Sequence, residues 1–165
     1  MVIRSELPSD CAAISAIHLA SFPTDGESKL VAALRAAGRL VVSLVAVEAD
    51  AVVGHVAFSP VDLAGASGGI GLAPVAVLPE FRRRGIAAQL IREGVARCSR
   101  AGHAFVVVLG EPAYYSRFGF RAASGWGLHD EYGGGDAFQA LELQPRSIPA
   151  AGGTVRYAPE FAQFV

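Results

Sequence analysis

Residues 75–87 read Val-Ala-Val-Leu-Pro-Glu-Phe-Arg-Arg-Arg-Gly-Ile-Ala. An apolar strand ends, three consecutive arginines form a turn, and Gly85 opens a long helical pattern. This order of residues suits anion binding. The first turn of a helix carries N–H groups without intrahelical acceptors and a partial positive charge, and anions settle there. Gly85 and Ala87 let a phosphate approach the backbone, and the arginines add charge around it. The stretch therefore predicts a diphosphate cradle made by Arg82, Arg83, Arg84, Gly85, Ile86 and Ala87. An arginine triplet alone reads more simply as a solvated turn; the strand before it and Gly-Ile-Ala after it favour the cradle. Two other phosphate loops are absent. No G-x-x-x-x-G-K-[ST] occurs, and no G-x-G-x-x-G follows the strand.

The elements that must hold this cradle follow from periodicity. Residues 2–4 read as a first strand. Ser9 or Asp10 can cap a helix over residues 11–21, with Ile14, Ile17 and His18 on one side. A second helix is predicted over 27–37, stopped by Gly38. The period then changes to two. Strands over 40–48 and 51–61 flank a turn at Ala49-Asp50, and in the second strand His55, Ala57 and Ser59 share one face while Gly54, Val56 and Phe58 share the other. The strand over 70–78 contains Pro74, which removes a ladder donor and predicts a bulge. After a turn at 79–84, residues 85–102 form the best helix of the chain, with Ile86, Leu90, Ile91 and Val95 as its apolar stripe. A buried strand over 103–109, a short helix over 113–118, a glycine-rich loop over 125–135 and strands over 137–143 and 154–157 complete the reading. The class is α/β in the α+β sense, with a central β-α-β unit over 70–109.

Composition narrows the partners. The 165 residues suit one domain, taken as 1–165. Apolar residues make up 52% and charged residues 18%, which argues against disorder. The net charge of −1 argues against binding nucleic acid or an acidic membrane through a basic face. Cys11 and Cys98 form no metal-ligand pair, so no metal is expected, and no disulfide framework is possible beyond one bridge. Apolar runs fall far short of the ~20 residues a membrane helix needs, and no signal-peptide layout occurs at the start. A cytoplasmic protein, monomeric or homodimeric, is expected.

Motifs now combine. Arg82-Arg83-Arg84-Gly85-Ile86-Ala87 resembles the R/Q-x-x-G-x-G/A signature of the GCN5-related N-acetyltransferase (GNAT) superfamily. Val75-Ala76-Val77-Leu78-Pro79 resembles the strand that precedes it, and Tyr114-Tyr115-Ser116-Arg117-Phe118-Gly119-Phe120 its aromatic-Tyr-x-x-x-Gly-Phe element. The likeness is greatest to the YhbS-like branch, in which Leu-Gly-(acid)-Pro-Ala-Tyr-Tyr precedes the arginine. One element departs: many members carry an Asn just after the strand that ends at Leu109, where this chain has Gly110-Glu111-Pro112.

The resemblance implies a GNAT fold: a mixed, mostly antiparallel sheet, splayed at the strand containing Pro74, with helices on both faces. It implies acetyl-CoA as cosubstrate and an amine as acceptor. The pyrophosphate would lie on the backbone of residues 82–87, with the pantetheine arm along Val75, Ala76 and Val77 and close to Gly110. A backbone N–H near residues 75–77 would polarise the thioester, and Tyr115 would protonate the departing thiolate. The amine attacks directly, so no enzyme nucleophile is required. Its proton could go to His55, to Glu111 or along a water chain. The rival reading is a non-catalytic acyl-CoA-binding regulatory module on the same fold.

Overall fold

The computed structural model describes residues 1–164. Its elements are β1 (Val2–Ser5), α1 (Cys11–Ser21), α2 (Gly26–Ala36), β2 (Val42–Glu48), β3 (Ala51–Pro60), β4 (Gly69–Val77), α3 (Ile86–Arg100), β5 (Phe105–Leu109), α4 (Pro112–Tyr115), β6 (Arg121–Ala122), β7 (Leu128–Asp130), β8 (Phe138–Glu142), β9 (Gly153–Val155) and α5 (Phe161–Phe164). Seven strands form one mixed sheet in the order β1-β2-β3-β4-β5-β8-β6, and β7 pairs with β9 in a second. The chain folds into two compact units.

The first unit comprises Met1–Phe58, Pro74–Gly94 and the segment from Pro159. Its centre is the β2–β3 hairpin, and β1 pairs antiparallel with β2. Ala49 and Asp50 both adopt left-handed backbone conformations, φ 49° and 64°. Two such residues make the turn whose twist matches a hairpin. The alternation expected in β3 is present. His55 faces α1, where it meets His18, and its pairing partner Val45 packs with Ile14 of α1 and Val31 of α2. The opposite face meets α3. A Cβ added at Gly54 would lie 3.1 Å from Leu90 and 3.3 Å from Ile86, and one added at Gly94 would lie 2.2 Å from the Phe58 ring. The two missing methyl groups let α3 lie directly against β3. Helices thus cover both faces of this part of the sheet.

The second unit comprises Ser59–Ala73 and Val95–Ala158. The start of β4 runs parallel to β5 through Gly69–Gly71 against Phe105–Val107, and that ladder ends at Gly71. β5 continues to Leu109, paired antiparallel with β8 on its other side, and β8 carries β6. The short helix α4 continues as a 3-10 turn over Ser116–Phe118 and stops at Gly119, φ 92°.

Several local expectations need correction. Residues 125–135 are not a plain loop. Ala123–Trp126 is a 3-10 turn, and Leu128–Asp130 is β7, held in parallel by Gly153–Val155. The final strand ends at Val155, not at residue 157. Pairing between segments some 25 residues apart stabilises these short strands, and three residues are too few to show a period. The turn at 79–84 begins with a 3-10 turn, Pro79–Phe81.

Candidate active site

The anion cradle starts where β4 ends. The Val77 carbonyl accepts a hydrogen bond from Arg82 Nε at 3.0 Å and one from Ser21 Oγ at 3.5 Å. These contacts pin the strand end to α1 and to the arginine turn. Arg83 and Gly85 then take left-handed conformations, φ 62° and 76°. Such reversals gather successive N–H groups into a concavity, a geometry that suits oxyanions. The Gly85 carbonyl accepts from Gln89 N–H, so the amides of Ile86, Ala87 and Ala88 form the first turn of α3 and have no intrahelical acceptor. Arg82, Arg83 and Arg84 are all exposed. The Arg84 guanidinium lies 5.1 Å from the centre of the Phe81 ring and 3.8 Å from Glu48. A Cβ on Gly85 would meet nothing within 4 Å among the described residues. The cradle is open to solvent.

Two hydrogen bonds define the register of β4 against β3. Leu78 N–H donates to the Val53 carbonyl, and Val61 N–H donates to the Gly69 carbonyl. Between these bonds β3 advances eight residues and β4 advances nine. The extra residue is a β-bulge, and Pro74 lies in the stretch of β4 between the two bonds that contains it. Val77 stands opposite Gly54, on the α3 face, which puts Ala76 opposite His55 on the α1 face.

Gly110, Glu111 and Tyr115 belong to the second unit. Tyr115 is the buried member of the Tyr114–Tyr115 pair, 8% exposed, with its ring edge-on to Tyr114 and Phe120. Burial, and then Tyr114, push its phenol up to about 12. The group therefore keeps its proton at neutral pH. Gly110 makes room for that ring: a Cβ there would lie 2.3 Å from Tyr115. Its N–H donates to the Ala137 carbonyl and its carbonyl accepts from Gln139. Glu111 is exposed, and its carbonyl accepts from Tyr114 and Tyr115 N–H at the start of α4. Tyr114, half-buried, lies under the Arg117 guanidinium at 4.4 Å.

His55 lies in the interior of the first unit, 0% exposed, with both ring nitrogens engaged. Its Nδ1 is 2.8 Å from His18 Nε2, and its Nε2 is 2.8 Å from Ser43 Oγ. Ser43 Oγ donates to Glu6 Oε1, which lies 3.7 Å from His55 Nε2. Arg35 grips the same carboxylate through Nε at 2.7 Å and a second nitrogen at 3.2 Å. Burial pushes Glu6 up, but nearby His55 and the hydrogen bonds from Arg35 and Ser43 outweigh that and hold it well below the usual carboxylate range. Burial also lowers His55, against the pull of Glu6. Burial, then the charges of His55 and Arg35, bring His18 down to about 3. Both imidazoles are neutral at pH 7.

With this geometry in view, the comparisons with known proteins are decisive. Residues 39–122 match the family described as Acetyltransferase (GNAT) domain. The chain belongs to the GNAT acetyltransferase family. It is 42% identical to the "uncharacterized N-acetyltransferase YhbS" of Escherichia coli K12 over 99% of this chain and 100% of that one. The crystal structure of Escherichia coli YhbS in complex with CoA superposes with a TM-score of 0.94, at 41% identity, over 99% of this chain and 93% of that one. A GNAT family acetyltransferase from Brucella melitensis, solved with acetyl-CoA, gives a TM-score of 0.83 at 42% identity, over 97% of each chain. The mixed seven-stranded sheet is the GNAT fold.

For this GNAT chain, the structure gathers Val75–Val77 and Arg82–Ala87 along the end of one strand and the start of one helix. His55 sits behind that strand end, inside a polar chain. Sequence reasoning missed the other members of the chain: Glu6, His18, Arg35 and Ser43. His18 follows Ile14 and Ile17 on the apolar side of α1, so it reads as an ordinary core position, and its partner lies 37 residues away.

Proposed function

We propose that the chain transfers the acetyl group of acetyl-CoA to a primary amine by direct attack. The observation that carries this reading is its likeness, over 97–99% of its length, to proteins solved with CoA or acetyl-CoA. The cradle geometry supports it independently. Backbone N–H groups of residues 82–87 would receive the pyrophosphate, the amides of α3's first turn foremost. The bulge in β4 supports the use of Val75–Val77 as the edge along which the pantetheine arm runs. A strand with an extra residue has backbone groups out of register with its neighbour, and these can serve a ligand. One such N–H would polarise the thioester carbonyl as it gains charge.

In this scheme the amine nitrogen attacks the thioester carbon, the C–N bond forms and the C–S bond breaks. The departing thiolate takes a proton from Tyr115. A phenol held near 12 by burial stays protonated through the working pH range, so the acid is loaded before each turnover.

Two measurements test the reading. CoA should raise the thermal unfolding midpoint, and thiol release from acetyl-CoA should depend on an added amine drawn from polyamines, aminoglycosides, amino acid amides and free peptide N-termini. Tyr115→Phe should lower kcat by about 10²-fold, within the usual range for loss of a general acid, with little change in CoA affinity. Absence of CoA stabilisation at millimolar concentration would refute the reading. Full kcat in Tyr115→Phe would remove the acid role alone.

A further inference from the structure

The polar chain behind β4 has a direction that fixes where each proton sits. Glu6 is ionised and can only accept, so the Ser43 hydroxyl donates to it. Ser43 Oγ must then accept from His55, which places the His55 proton on Nε2. His55 is neutral, so its Nδ1 is a bare lone pair, and His18 Nε2–H donates to it. His18 is neutral too, so its Nδ1 carries no proton. That nitrogen is fully buried and has no hydrogen-bond partner among the described residues. An unpartnered acceptor inside a protein is costly, and here it ends a chain in which every other group is satisfied.

The position of this lone pair is as informative as its state. His18 lies one helical turn before Ser21, whose hydroxyl reaches the Val77 carbonyl. Its partner His55 stands opposite Ala76 in the β3–β4 register. The His18 ring thus lies on the α1 face of the sheet, against the His55 that stands beside the strand segment to which the proposed function assigns the thioester. The ring of Phe22, half-buried at the end of α1, stacks on one face of the His18 ring at 5.9 Å.

We infer, on the basis of that proposed function, that His18 Nδ1 takes the proton the acceptor amine must lose, directly or over one water. The transfer balances. An amine N–H bond breaks and a His18 Nδ1–H bond forms. The His18 Nε2–H proton passes to His55 Nδ1, leaving His18 neutral in its other tautomer. The positive charge comes to rest on His55, which already donates to Ser43 and faces the Glu6 carboxylate at 3.7 Å. The charged and titratable groups acting on the pair are Glu6 from the β1–α1 connection and Arg35 from α2, with Cys11 of α1 beside Arg35. The amine, now neutral, attacks the thioester. His55 is then the second station of the relay and not the group that meets the amine.

His18→Gln separates this role from a structural one, because its amide nitrogen can still donate to His55 while the Nδ1 acceptor is gone. With the amine that the wild type turns over fastest, kcat/KM of the variant at pH 6 should fall by about 10²–10³-fold, with CoA stabilisation intact. The deficit should shrink by about tenfold per pH unit between roughly pH 6 and 9, because the variant must wait for amine that has already lost its proton. A structural defect would give a ratio that does not change with pH. Nitrogen NMR of the wild type adds a readout independent of turnover: at pH 7 both rings should be Nε2–H tautomers, with His18 Nδ1 unprotonated. An unchanged kcat/KM in the variant, a pH-independent deficit, or a protonated His18 Nδ1 would overturn the inference. A wild type that neither binds CoA nor releases thiol would overturn the proposed function instead.

Discussion

Gly85→Ala isolates what the cradle does from what holds it up. Gly85 has a φ of +76°, and a Cβ there would meet nothing within 4 Å among the described residues. The cost to the free protein is therefore backbone strain alone, about 1–2 kcal/mol for an L-residue in the left-handed region. For a chain of this size that lowers the unfolding midpoint by about 2–8 °C. The effect on ligand binding should be larger in kind. The new methyl group would stand in the open concavity at the head of α3, where the proposed pyrophosphate must touch backbone. CoA at a hundred times its dissociation constant should stabilise the wild type by about 2.7 kcal/mol, and the variant should lose most of this. Thermal unfolding with and without CoA reads both quantities in one experiment. A variant that is less stable yet shows the full CoA-dependent shift would refute the cradle assignment.

Gly94→Ala should behave in the opposite way. Its Cβ would press into the buried Phe58 ring at 2.2 Å, so overpacking should cost about 1–3 kcal/mol or more, seen as a lower urea midpoint whether or not CoA is present. Stability should fall on the acid side. His18 is lowered to about 3 in the fold from an unfolded value of 6.5, so its contribution is complete above pH 6.5 and is lost as the pH falls toward 3. Urea midpoints across that window should fall with decreasing pH, and His18→Gln should flatten the slope by up to about 1.4 kcal/mol per pH unit. The alkaline side has the reverse sign. Burial raises Cys98 and Tyr115 to about 12, so stability present below pH 9–10 should decline as the pH climbs toward 12. Tyr115→Phe should leave the onset, which Cys98 sets near pH 9, unchanged and flatten the decline above pH 10.

The sequence was most informative where a function depends on a continuous run of residues. Val75 to Ala87 is such a run, and its strand, arginine turn and glycine-opened helix all appear in the fold. The two faces of β3 were equally plain, because a period of two survives over ten residues. Pro74 signalled the bulge through its missing N–H. What escaped was built from pairs distant in sequence. Glu6, His18, Arg35, Ser43 and His55 come from four separate elements and the connection after β1, and none carries a local sign of the others. A carboxylate just after β1 and a histidine on an apolar helix face each have ordinary explanations until the fold joins them. β7 and β9 were lost for the same reason: three residues hold no pattern, and their pairing is across the chain.

The contact of α3 with β3 at Gly54 fixes a dimension of the molecule. Ile86, at the head of the helix, and Val77, at the end of β4, both lie within 3.4 Å of where a Gly54 side chain would begin. The helix head and the strand end therefore stand at a separation set by the absence of one methyl group. Position 54 acts as a spacer of zero thickness. Any larger residue there would lift the anion-binding turn away from the strand end, and a ligand of fixed length held at both places would find its two holding points moved apart.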